Sequence, residues 1–136
     1  MTFERVTIED IPVMFVSEKG EPSRSAPRAF ARLESALASL QGRKFYGVFD
    51  VDAIEYRACV ALREGDDPEA VGCTRGVIPG GTYLRARLRG EPQDTTPRIS
   101  ETFAAMAVTG SPDGSRRAIE FYRRRDQVDL LFPVLP

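Results

Sequence analysis

Histidine is missing from this 136-residue chain, and so is tryptophan. Without imidazole there is no Ser-His-Asp or Cys-His system, since both need a group that takes the nucleophile's proton near neutral pH. Zinc sites built on histidine go with it, and haem would lack its commonest protein ligand. Any general acid or base must be Asp, Glu, Lys, Tyr or Cys. The two cysteines, Cys59 and Cys73, are too few for a disulfide scaffold or an all-cysteine zinc site. They lie symmetrically about Asp66-Asp67, so a hairpin turning there would set them opposite each other. Two reduced thiols in a strand pair is the expectation, with no metal and no cofactor.

Charge of either sign is also not in excess. Nineteen basic residues against twenty acidic ones leave a formal charge of −1, whereas a duplex-DNA binder of this size carries a large basic surplus. Direct nucleic-acid binding is therefore not expected. No apolar run approaches the ~18 residues that would span a membrane, so no membrane partner is expected either. The opening Met-Thr-Phe-Glu-Arg has no apolar core of a secretory signal, and a cytoplasmic single domain over residues 1–136 is the expectation. P-loop and Rossmann glycine signatures are absent, and Gly80-Gly81 after Ile78-Pro79 reads as a turn. What is present is ordinary for a globular domain: 42% apolar and 29% charged residues.

The most informative feature is an internal repeat. Gly20-Glu21-Pro22, four residues and Pro27-Arg28 recur as Gly90-Glu91-Pro92, four residues and Pro97-Arg98. An Ile-Pro pair precedes each copy, Ile11-Pro12 and Ile78-Pro79. The offset of about 70 residues is too long for a solenoid and is half the chain, so one supersecondary unit is written twice. Repeat one covers about residues 3–64 and repeat two about 69–136.

Both copies read alike. A first strand runs from Val6 to Val16 in copy one, and from Val71 past Leu84 in copy two, with the Ile-Pro pairs at a bend or edge. Pro27 and Pro97 then open helices, with Ser25 and Thr96 as capping candidates. Helix one carries Phe30, Leu33, Leu37 and Leu40 on one stripe; helix two carries Ile99, Phe103 and Met106. Two strands follow in each half, Lys44 to Phe49 with Ile54 to Leu62, and Ala118 to Tyr122 with Val128 to Val134. The fold class is α+β, a duplicated strand–helix–strand–strand unit with pseudo-twofold symmetry. A central cleft between the halves is expected, as such junctions are favoured small-molecule sites.

The run Ile78-Pro79-Gly80-Gly81-Thr82-Tyr83, then Gly90, a helix, Ile119-Glu120-Phe121-Tyr122 and Asp129-Leu130-Leu131-Phe132-Pro133-Val134 resembles the GyrI-like family, which is related to the effector-binding domains of AraC-type and MerR-type regulators. Tyr46-Gly47-Val48 and Tyr56-Arg57-Ala58-Cys59-Val60-Ala61-Leu62 resemble its first-half strands, and the likeness spans roughly residues 3–136. It implies a ligand cleft for bulky aromatic or cationic compounds, with a buried acid and several aromatics. The matching positions are Glu120 and Tyr122 in a Glu-x-Tyr pattern, and Tyr83 after the Pro-Gly-Gly bend. Some free-standing members resemble hydrolases of reactive cyclopropane-bearing antibiotics, and one branch gives its name to gyrase inhibition. The chain is too short to hold the regulators' helix-turn-helix domain as well, which implies a free-standing role.

The residues themselves leave alternatives open. Period-two alternation puts Ala118, Glu120 and Tyr122 on one face and Ile119 and Phe121 on the other. Glu120 either faces water or supplies the carboxylate beside an aromatic that a cation site needs. A partly buried carboxylate has a raised pKa unless a cation pairs with it, which would also suit a general acid or base. Tyr83, Tyr46 and Tyr56 are ligand-wall candidates that strand packing explains as well. The first functional expectation is a binder of apolar, aromatic or cationic small molecules through Glu120, Tyr122, Tyr83, Tyr46 and Tyr56. The second is a hydrolase of strained electrophiles, with Glu120 as general base and Tyr122 as proton donor. The third is a protein-interaction module, with Arg85, Arg87 and Arg89 on one strand face meeting an acidic partner; Arg123-Arg124-Arg125 reads as a solvated turn.

Overall fold

A nine-residue strand precedes each Gly-Glu-Pro: the first opens on the apolar run Ile11 to Val16, and the second alternates apolar and polar side chains from Leu84 to Arg89. In the computed structural model, which describes residues 2–136, the elements run in the order β1 Glu4–Ile8, β2 Ile11–Lys19, α1 Pro22–Ala36, β3 Phe45–Asp50, β4 Glu55–Ala61, a 3-10 turn Glu69–Val71, β5 Thr74–Ile78, β6 Gly81–Arg89, α2 Pro92–Thr109, β7 Ile119–Arg124 and β8 Gln127–Pro133. The class is α+β. Gly20 and Gly90 end β2 and β6 at φ of +115° and +135°, a conformation that L side chains rarely adopt, and this lets the chain turn at once into a helix.

The helices begin five residues before the proline expected to open them. Pro22 and Pro92 stand at the first helical positions, where no amide donor is needed. Pro27 and Pro97 lie inside the helices on exposed sides. Ser25 is not a cap: its buried hydroxyl donates to the carbonyls of Gly20 and Glu21 at 2.9 and 3.0 Å. Thr96 is exposed within α2. Because α1 stops at Ala36, Leu40 falls outside the apolar stripe and is 46% exposed.

The chain divides into two compact units, Ile11–Ile78 and Pro79–Pro136 joined by the segment up to Asp10. In the first, antiparallel strands run in the order β3-β4-β2-β5 and α1 packs over β2 and β4. Met14, Val16, Ala29, Leu33, Tyr56 and Val60 form its core. In the second the order is β1-β6-β8-β7, and α2 packs over β6 and β8. Its core is built from Leu84, Leu88, Met106, Val128, Leu130 and Val134. Fully burying a side chain such as Leu33 or Met106 contributes about 1.5–3 kcal/mol.

The continuous first strands expected from the sequence are broken, and their leading pieces change partners. β1 pairs with β6, from Glu4 opposite Arg85 to Ile8 opposite Gly81. β5 pairs with β2, from Ile11 opposite Ile78 to Phe15 opposite Thr74. The chain leaves each unit beside Asp10 and Pro79, where Asp10 Oδ1 accepts the Gly80 amide at 2.6 Å. Each compact unit therefore reads strand–helix–strand–strand–strand, starting near Ile11 and near Gly81, and β1 completes the second one. The cysteines do not face each other. β2 lies between β4, which carries Cys59, and β5, which Cys73 immediately precedes. Cys73 joins the core under α1, while Cys59 is buried on the opposite face.

Candidate functional site

The Glu-x-Tyr segment lies on β7. Glu120 pairs with Leu130 and Tyr122 with Val128, so both share the sheet face that carries α2. Ile119, 1% exposed, and Phe121 turn to the other face. Because α2 packs over β6 and β8, β7 flanks the helix and its residues Glu120 and Tyr122 stay half-buried. The Tyr122 hydroxyl donates to Glu120 Oε1 at 2.6 Å. Tyr122 also packs against the core beneath α2, as do Ile99, Phe103 and Phe132. The rings of Phe103 and Phe132 lie 6.5 Å apart at 45°. A carboxylate held by a phenol at the border of an aromatic, apolar wall attracts cations more strongly than one in bulk water, because screening is weaker there.

The other three tyrosines take interior places. Tyr83 is fully buried on the face away from α2, where its hydroxyl donates to the Pro79 carbonyl at 2.5 Å. The Arg116 guanidinium covers its ring at 4.6 Å. Burial pushes the Tyr83 phenol up, against the pull of Arg116. Tyr46, 5% exposed, lies on the face of β3 away from α1, and burial raises its phenol as well. Tyr56 is in the core under α1, edge-on to Phe30 at 5.9 Å. Of the five expected site residues, Glu120 and Tyr122 are brought together by a direct hydrogen bond.

The arginine stripe on β6 is partly spent inside the unit. Arg85 binds Glu4 at 2.5 Å, and Arg87 grips Asp129 with contacts of 2.8 and 3.2 Å. Asp129 is 2% exposed, an inward acid that the apolar run Val128-Asp129-Leu130-Leu131 conceals. No local pattern in the sequence marks it; the strand register, which the fold supplies, sets Arg87 opposite Asp129. Among the described residues no group of three or more potential metal ligands converges, and no helix is long and apolar enough to cross a membrane.

The comparisons with known proteins bear on this geometry. No family model matches the chain, and no curated protein matches its sequence. Its fold is shared with solved structures. SAV2435 bound to tetraphenylphosphonium superposes with a TM-score of 0.68 at 15% identity, covering 99% of this chain and 94% of that one. An integron cassette protein from the mobile metagenome of Vibrio cholerae does so at 0.73 and 15%, covering 98% and 95%. The EcmrR C-terminal domain does so at 0.67 and 13%, covering 99% of both chains. The superpositions show a common fold over nearly the whole chain.

Proposed function

We propose that this chain is a small-molecule-binding domain of the GyrI-like kind and that it takes an apolar, aromatic cation against β7. Glu120 supplies the counter-charge and Tyr122 an aromatic wall. The observation that carries this reading is the 2.6 Å hydrogen bond between the Tyr122 hydroxyl and Glu120 Oε1 on a half-buried face. The phenol orients the carboxylate, so less reorganisation is needed when a cation arrives. A cation–π contact contributes about 0.5–2 kcal/mol. Useful affinity therefore also requires burial of the ligand's apolar body, for which Ile99, Phe103 and Phe132 offer the surface. The tetraphenylphosphonium complex of a protein of the same fold supports the choice of ligand class.

The test is a pair of ions of one shape and opposite sign. Tetraphenylphosphonium should raise the thermal midpoint in a concentration-dependent way and tetraphenylborate should not, because a ligand stabilises only the state that binds it. Glu120→Gln should weaken the cation at least tenfold. Equal shifts with both ions, or none with either, would overturn the reading. Retained affinity in Glu120→Gln with loss of ring-opening turnover would instead assign Glu120 the role of general base.

A further inference from the structure

We infer that the end of the sheet formed by β6, β8 and β7 is a docking surface for an acidic protein segment, centred on Arg89 and Arg124. The register places both arginines opposite Gln127, one on each side, so that Arg89, Gln127 and Arg124 form a single rung across three strands. At ordinary strand spacing the two arginine Cα atoms stand about 10 Å apart. The ladder is irregular between Tyr122 and Arg124, where Arg123 is the extra residue. Bulges of this kind re-aim side chains. Here Arg123 reaches Asp129 at 3.9 Å, on the face that also carries Arg87.

This end of the face thus gathers Arg87, Arg89, Arg123 and Arg124, of which Arg87 and Arg123 contact the buried Asp129. Arg87 is committed to Asp129 through two contacts, and Gln127 adds a third at 3.4 Å. Arg89 and Arg124 are exposed and enter no ion pair among the described residues. Arg125, with an 87% exposed side chain, holds Glu91 only at 3.7 Å. The positive charge that remains is concentrated on guanidinium groups, whose planar forks fit carboxylates in pairs. A continuous phosphate backbone crossing this end would meet Asp126 and Glu91 beside the arginines. An extended peptide can space its carboxylates to meet the arginines and set neutral residues beside Asp126 and Glu91, which a continuous phosphate backbone cannot, and so a protein segment is the better occupant.

The experiment uses the full chain and fluorescence anisotropy with a labelled peptide of alternating aspartate and serine, at about 10 mM salt, where charges act over about 30 Å before they are screened. Binding should be saturable and weaken steeply by about 150 mM salt. R89E/R124E should reduce affinity at least tenfold and R89A/R124A by a smaller factor, both with unchanged thermal midpoints because the side chains are exposed. R24E, an exposed reversal on α1, should leave affinity within twofold. No binding at low salt, equal loss in R24E, or unchanged affinity in both double variants would overturn the inference. So would tighter binding of a labelled single-stranded oligonucleotide than of the peptide. The Glu120 variant plays no part in this test, so its outcome and that of the cation site are independent.

Discussion

The Tyr122 hydroxyl and the Glu120 carboxylate form a hydrogen bond of 2.6 Å between residues two apart on one strand face. Neighbouring side chains on such a face stand about 6.8 Å apart at Cα, so the tyrosine must lean along the strand to reach its partner. Tyr122→Phe keeps the ring and removes the donor. It should weaken binding of an aromatic cation two- to fivefold, whereas Tyr122→Ala, which also removes the wall, should weaken it at least tenfold. Titration calorimetry of both variants checks the order.

Tyr83 makes a different contribution. Its buried hydroxyl has the Pro79 carbonyl as partner, and its ring lies under Arg116. Tyr83→Phe should cost about 1 kcal/mol of stability, the usual net value of one hydrogen bond, with cation affinity unchanged. Tyr83→Ala should cost about 3–5 kcal/mol through the cavity it leaves. Chemical denaturation curves read both values.

Two glycines should respond in opposite directions. A Cβ on Gly80 would stand 2.6 Å from the Ile8 carbonyl oxygen and 2.8 Å from the Asp10 amide nitrogen, both of them backbone atoms. Gly80→Ala should therefore cost about 2 kcal/mol or more. Gly114 has open space around it and no positive φ. Gly114→Ala should be neutral or stabilise by up to about 1 kcal/mol through the unfolded chain. Thermal midpoints of the two variants, compared with the parent, decide this.

The Arg43 guanidinium binds Asp66 through two contacts of 3.1 and 2.8 Å, and their side chains are only 3% and 15% exposed. This pairing holds the Asp66 carboxyl below the usual carboxylate range. A folded-state pKa below the unfolded one means that the stabilisation is fully present above the unfolded value, about 3.9, and is lost as pH falls through the lower folded value. Asp66→Asn should cost about 3 kcal/mol at pH 7. The gap to the parent should close progressively below about pH 4, and denaturation series at several pH values would show it.

Both thiols should be inert in the folded protein. Burial pushes Cys59 up to about 12, and it raises Cys73 in the same direction. The reactive species is the thiolate, which is scarce at pH 8 for such groups. Modification by a disulfide reagent should run at the rate of opening and become fast only in denaturant. Mild oxidation should form no intramolecular disulfide, since β2 separates the strands that carry the two residues.

Much of this was legible in the residues. The repeated Gly-Glu-Pro showed the duplication, and the period of the apolar residues in each half gave the α+β class, because both are local patterns. The pairing of Glu120 with Tyr122 on one face followed from alternation alone. Alternation does not say which of two faces a helix covers, and for that reason Tyr83, Tyr46 and Tyr56 could not be sorted into wall or core. The helix starts were misplaced because Pro27 and Pro97 are tolerated inside on exposed sides. The exchange of β1 and β5 was hidden for another reason: partner choice between distant strands is decided by register and by the tight passage at Gly80, neither of which leaves a local pattern.

That exchange sets an order of assembly. Residues 11–78 contain all the strands and the helix of their unit, so this half can close as soon as its last strand has left the ribosome. β1 is made first but must wait for β6, whose first residues follow about 70 positions later, and until then its backbone edge stays unsatisfied. A nascent chain halted once residue 78 has emerged from the ribosome, but before β6 has, should therefore resist proteolysis from Ile11 onward while its leading residues are cut. The N-terminal strand would be the earliest part synthesised and among the last to be protected.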